Sequence, residues 1–348
     1  MSGRTLMHRT LEGQQKEQIP VTPHWWGLYK FQMGHLISGY EEERKAWDLR
    51  GEDLAKYDME FYEEFKPDMF HLTTGKHKKG NIGDQKEYQE LKRKLRELDH
   101  PDDVDHLIDY IYENEKDVIE SGVFDHVKIL SERYESSFIA LNEGNPICRI
   151  LDEYLGFEDG LVGMLENPEL VGYLLYRLYD ILLPRMRALK QMGADAYIGS
   201  ETYCTPDIIS PTMYRDLVFP AQRHFYTELE KMGLIPITYF LGDINSMIKD
   251  INRLGVKGLM VEESKKGFEL NVTELRKQLN PEITLFGNLD SVYILQKGNT
   301  REIQEKTREQ LKAAEYGSFV MANGCPISFG TPKENIHVMM ETVREYGK

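Results

Sequence analysis

The 348-residue sequence predicts an α/β fold, a (β/α)8 TIM-type barrel with N-terminal helical additions. Three observations carry this expectation. From residue 196 onward, short apolar runs alternate five times with helical stretches, and uninterrupted runs of this kind suit parallel strands buried on both faces. The runs start about 39, 23, 26 and 35 residues apart, room for one strand, one helix and two loops per unit. The chain also exceeds by roughly 100 residues the usual 250 or so of such a barrel, which leaves length for added helices.

Taken in chain order, the irregular first half offers strands at residues 19–23 and 69–73, and a third at either 127–129 or 138–141. The intervening stretch 75–111 reads as an insertion. Asn167-Pro168-Glu169 opens a long apolar-periodic helix to about Met192. The five regular strands are then expected at residues 196–199, 235–240, 258–261, 284–287 and 319–322. Ser210-Pro211, Asn271-Val272-Thr273-Glu274, Asn299 to Glu302 and Thr331-Pro332-Lys333-Glu334 supply helix starts, each with a capping side chain and several with Pro at the first helical position. Eight strands close a barrel, whereas six or seven leave an open sheet; length favours closure. No Pro/Gly/Ser-rich linker interrupts the chain, so residues 1–348 read as a single domain.

Composition narrows the function. With 58 Asp+Glu against 43 Lys+Arg the formal charge is −15, which argues against nucleic acid as a partner. The one dense basic cluster, Lys76-His77-Lys78-Lys79, reads as a solvated loop. No apolar run is long enough for a membrane span, and the N-terminal residues do not read as a secretory signal, so a cytoplasmic location is expected. Three widely spaced cysteines, Cys148, Cys204 and Cys325, suit free thiols or metal ligands rather than a disulfide framework. Nucleotide-binding glycine loops, HExxH, CxxC and GxSxG are all absent.

Active sites of such barrels form at the C-terminal strand ends. There the sequence places Glu201, Tyr203 and Cys204; Tyr239, Leu241 and Asp243; Glu262 and Glu263; Asn288 and Asp290; and Asn323 and Cys325. The first half adds His24, Trp25, Trp26 and His71. Thiolate with carboxylate or imidazole is a donor set that zinc selects. Blander readings stand beside these: Glu262-Glu263 as a solvated loop, Asp243 as a cap for a helix from Asn245, the cysteines and Trp25-Trp26 as core.

On these residues the sequence resembles the uroporphyrinogen decarboxylase superfamily, which includes corrinoid-dependent methyltransferases. The resemblance rests on Gly193-Ala194-Asp195-Ala196 leading to Glu201, Ser210-Pro211 with Tyr214 to Pro220, Gly242-Asp243-Ile244, Gly287-Asn288-Leu289-Asp290, Asn323-Gly324-Cys325-Pro326-Ile327 and Thr331-Pro332-Lys333-Glu334-Asn335. It spans roughly residues 137–346 and implies a TIM-type barrel. True decarboxylases of the superfamily carry an Arg-Gln-Ala-Gly-Arg stretch near the N-terminus, where this chain reads His24-Trp25-Trp26-Gly27-Leu28-Tyr29-Lys30, and a His where it has Cys325. The methyltransferase branch places Cys at that last position and pairs it with His-x-Cys on an earlier strand to hold zinc; here those two positions are Tyr239 and Leu241.

The resemblance therefore implies a corrinoid-protein-dependent methyltransferase that moves a methyl group from a small donor, a methoxylated aromatic or a methylamine. Catalytic roles fall to Glu201, Tyr239 and Asp243, and substrate binding to His24, Trp25, Trp26, His71 and Asn288. Zinc stays open, either held by an alternative set of Glu201, Cys204 and Cys325 or not used. The corrinoid should come on a separate protein, since no DxHxxG ligation motif occurs. Homodimerisation also stays open, and no nucleic acid or membrane partner is expected. Two alternatives remain: a metal-independent decarboxylase of a small carboxylate, and a non-catalytic ligand-binding member.

Overall fold

The computed structural model describes residues 1–14, 18–78, 85–97, 99–265 and 267–348. Seven parallel strands run in sequential order: β1 (Met69–Thr73), β2 (Phe138–Gly144), β3 (Ala196–Glu201), β4 (Ile235–Phe240), β5 (Gly258–Val261), β6 (Thr284–Phe286) and β7 (Phe319–Val320). Neighbours in sequence are neighbours in the sheet, as right-handed strand–helix–strand units demand.

The eighth position is filled without a regular strand. Met321 donates to the Pro20 carbonyl at 2.8 Å and the Thr22 amide donates to Met321 at 2.9 Å. On the other side, Asp68 donates its amide to the Val21 carbonyl at 3.0 Å, and its carboxylate accepts the Val21 amide at 2.9 Å. The segment 19–22 thus joins β7 to β1 and completes the ring. Pro20 and Pro23 carry no amide hydrogen and the Val21 amide is given to the Asp68 carboxylate, which leaves too few free amides for a ladder.

Of the two sites offered for the third strand, 138–141 lies in β2. Residues 127–129 lie instead in the helix Asp125–Arg133, where Val127 and Leu130 share one buried face. The described part of the 75–111 insertion forms the helices Lys86–Leu95 and Pro101–Ile111; residues 79–84, with Lys79 of the basic cluster, lie outside the described residues. Lys76 and Lys78 pair with Asp48 at 2.6 Å and Asp125 at 2.9 Å on the surface.

The helix starts carry most of their expected caps. Ser210 and Asn271 accept from backbone amides, and Asn299 forms a full capping box with Glu302. Thr331 is the exception. The helix Lys333–Tyr346 begins after Pro332, and the Thr331 hydroxyl turns back to the Ser328 carbonyl at 2.7 Å.

Strand parity sorts the core into two. Ala196, Ile198, Ile237, Tyr239, Met260, Phe286 and Val320 fill the barrel interior, while the alternate residues, such as Tyr197, Phe240, Leu259 and Leu285, meet the helices outside. Among the described residues no helix is long and apolar enough to cross a membrane.

Candidate active site

Inward-facing side chains at the C-terminal strand ends converge on one cluster. His24, just after the closing segment, lies with its ring centroid 5.1 Å from that of His71 on β1 and 5.5 Å from that of Tyr239 on β4. The Tyr239 hydroxyl donates to the Gly324 carbonyl at 2.7 Å and lies 3.8 Å from the Cys325 thiol. Cys325 lies 3.4 Å from a Glu262 carboxylate oxygen and 3.0 Å from the Lys265 ammonium, which also pairs with Glu262 and stands 3.7 Å from Glu263.

The loop bearing Cys325 is fixed by its surroundings. Asn323 accepts the His24 amide at 2.9 Å and donates to the Cys325 carbonyl, which also accepts the Ser291 hydroxyl at 2.7 Å. Gly324 lies so close under the backbone and carboxylate of Glu263 that a Cβ there would collide with both. Glycine is required here by close approach.

The cluster is deeply buried and electrostatically uneven. Burial pushes the His24 imidazole down to about 3 and that of His71 well below its ordinary range, so both rings are neutral. The His71 ring offers no hydrogen bond to any described protein atom and the His24 ring meets only the Gly324 backbone, although both are fully buried. Asn142 Nδ2, Glu262 Oε2 and Glu263 Oε2 are likewise buried and unpartnered. Buried polar groups normally find partners, so a group of orphans at a strand-end mouth marks a place for a polar ligand. Burial, with Cys325 and the two glutamates nearby, drives Tyr239 well above 10, and burial with Glu263 pushes the Cys325 thiol up to about 12.

Several expected site residues stand elsewhere. Glu201 is an outward-facing residue of β3. Its carboxylate accepts from Tyr226 at 2.7 Å and Gln222 at 2.5 Å on the helix Phe219–Lys231, and from the Cys204 thiol at 3.4 Å. Gly199, two residues earlier on that face, leaves the space the Tyr226 hydroxyl occupies. Glu201 and Cys204 therefore sit between sheet and helices, share no partner with Cys325, and do not form the expected metal set with it. Burial, not a neighbouring carboxylate, pushes Glu201 up to about 7. Asp243 accepts from the amide and side chain of Asn245 at 2.9 and 2.8 Å and caps a turn. Trp25 is core, its ring centroid 4.1 Å from Phe61, while Trp26 is half-buried. Asn288 braces loops, donating to the Glu262 and Leu270 carbonyls and accepting from Gln310.

Lys265 and Asn142 had escaped the sequence reading. Lys265 lies three residues beyond Glu262, a spacing that could have suggested the pair; Asn142 carries no local signal. Positions 239, 241 and 325, where the methyltransferase branch holds zinc, do share the inner face, with Leu241 packed against the interior cluster. Of the phenol, isobutyl and thiol found there, only the thiol is a zinc ligand. Among the described residues no three His, Cys, Asp or Glu side chains are placed to hold a metal. The donor set does not fit the branch's zinc.

A parallel barrel with its cluster at the strand ends is the architecture of a large class of enzymes. Within it, the sequence profile of the uroporphyrinogen decarboxylase (URO-D) family matches residues 152–346, more than half of the chain, and the chain belongs to that family. Among characterised proteins it is similar to a methylcobamide:CoM methyltransferase, MtaA, of Methanosarcina barkeri, 28% identical over 46% of this chain and 44% of that one. A second, MtbA of Methanosarcina acetivorans, is 21% identical over 64% and 63%. The chain thus spans about half the length of the curated relatives it matches. A solved methyltransferase from Methanosarcina mazei superposes with a TM-score of 0.75 over 99% of both chains at 18% identity, a likeness of fold.

Proposed function

We propose that the chain is a methyltransferase that moves a methyl group from a small donor, a methoxylated aromatic or a methylamine, to the corrinoid of a separate protein docked over the barrel mouth. The observation that carries this reading is the cluster of His24, His71, Tyr239 and Cys325 at the strand ends, with its unpartnered polar atoms, in a chain whose relatives include methylcobamide methyltransferases. A polyanionic substrate is disfavoured. The one Lys or Arg in the stretch His24 to Lys30 is Lys30, fully buried against Asp58 at 2.6 Å and unavailable to a carboxylate.

In this reading the reduced corrinoid supplies the nucleophile for the methyl carbon. The chain supplies buried surroundings and the hydrogen bonds. Tyr239 keeps its proton, so its hydroxyl polarises the Gly324–Cys325 turn rather than adding negative charge. Neutral His24 and His71 offer one donor and one acceptor each to the donor's polar atoms. Burial of these groups excludes water from the reacting carbon.

The test is spectroscopic. Protein mixed with Co(I) corrinoid protein and a panel of methoxylated aromatics and methylamines is expected to yield the methyl–Co(III) absorbance. Silence across the panel, with carbon dioxide released from a small carboxylate in the absence of corrinoid, would establish the decarboxylase alternative instead.

A further inference from the structure

In the methyltransferase branch the cysteine after the last strand is a zinc ligand; in this chain the cation nearest that cysteine is a lysine. The Lys265 ammonium is 3.0 Å from the Cys325 thiol and is held by Glu262, with Glu263 at 3.7 Å. Both carboxylates are almost wholly buried, each with one oxygen unpartnered, while the lysine side chain is 31% exposed. Two buried carboxylates beside a thiol are costly unless a positive charge accompanies them. Of the other two positions of the branch's zinc set, Tyr239 supplies a protonated phenol whose O–H is given to the Gly324 carbonyl, and Leu241 supplies no ligand atom at all.

We infer that Lys265 takes the metal's place: its ammonium is the resident cation of the mouth, paired with Glu262 and standing beside Glu263 at Cys325, and the site works without zinc. This goes beyond the methyl-transfer reading, because the identity of the cation holds whatever reaction the barrel performs. It has a chemical consequence. An ammonium gives hydrogen bonds but no coordination position, so it can aid departure of an oxygen or nitrogen leaving atom by donating to it, and it cannot hold a thiolate as a metal does. Lys265 is then a binding residue that presents its N–H groups to the heteroatom of the substrate.

The test follows the metal rather than turnover. Chelator-treated wild-type protein is titrated with Co(II), whose thiolate complexes have a near-ultraviolet charge-transfer band, and zinc content is measured in parallel on the protein as purified, before any chelator. Wild type is expected to develop no such band and to carry zinc far below one per chain. Lys265→Met frees the Glu262 carboxylate and the Cys325 thiol, 3.4 Å apart, from their cation, and this pair should bind Co(II) about tenfold or more tightly than wild type does, with a thiolate band that Cys325→Ser removes. Lys265→Arg, which keeps the charge, should exclude the metal as wild type does; circular dichroism of each variant controls for folding. One zinc per wild-type chain, lost on Cys325→Ser, would overturn the inference. So would a Lys265→Met protein that gains no affinity, since the lysine would then not be what excludes the metal. Because methyl transfer is not the readout, failure here leaves the proposed function to its own assay.

Discussion

Glu201 is the residue whose surroundings most alter its reading. At a strand end it resembles a catalytic acid, yet its carboxyl is buried among Tyr226, Gln222 and Cys204 behind the sheet. Burial raises it from 4.5 to about 7, so the folded protein binds a proton there that the unfolded chain releases earlier. The resulting stability is full below about pH 4.5 and is lost as pH rises through about 7, a contribution of about 3 kcal/mol at most. Glu201→Gln removes that dependence. Its melting temperature relative to wild type is expected to rise between about pH 5 and pH 8, while ligand binding at the mouth is unaffected. Thermal melts across pH check the first outcome and calorimetric titration the second. Lys30 and Asp58 pose a second case. Both side chains are fully buried, and Asp58 has one oxygen without a partner. Lys30→Met leaves a buried carboxylate alone and should cost about 3–5 kcal/mol in urea unfolding; Lys30→Met with Asp58→Leu should recover most of it.

At the scale of elements, the closing segment 19–22 is the weakest member of the ring. It has no regular ladder, and its amide at Val21 depends on one side chain, the buried Asp68 carboxylate. Asp68→Ala leaves that amide unsatisfied between two strands, an expected loss of about 1–3 kcal/mol. Hydrogen exchange offers a sharper readout. Val21 and Thr22 should lose protection in Asp68→Ala before β3 and β4 do, because the interior strands are paired on both sides. The short apolar runs, the helix periods and three of the four caps were legible locally, since each is fixed by residues a few positions apart. Residues 127–129 were misleading because a buried helix face and a buried strand look alike over three residues.

Over the whole molecule, the two ends of the chain are tied to the same seam. Ile19 donates its amide to the Gly347 carbonyl at 2.7 Å, Met321 bridges Val21, and Arg4 reaches Asp195 ahead of β3 at 2.8 Å. Arg4 and Ile19 are thus tied to the barrel by these contacts. A chain starting at Pro23 should lose cooperative melting altogether, which differential scanning calorimetry against the full chain will test; a truncated protein that melts as sharply as wild type would remove the closing role assigned to this segment.

The sequence by itself determined the barrel class, the order of its strands and the family resemblance, since all of these are written in short apolar runs and in ordered motifs. Only the tertiary structure decided which strand-end side chains face the interior. In parallel strands buried on both sides, both parities are apolar, so nothing local distinguishes Glu201, turned to the helices, from Ser200 beside it, turned inward against Asn142. Only the fold, too, brought Lys265 to Cys325 across 60 residues of chain. Partners so far apart leave no periodic trace, and the charge they share at the mouth exists only once the ring has closed.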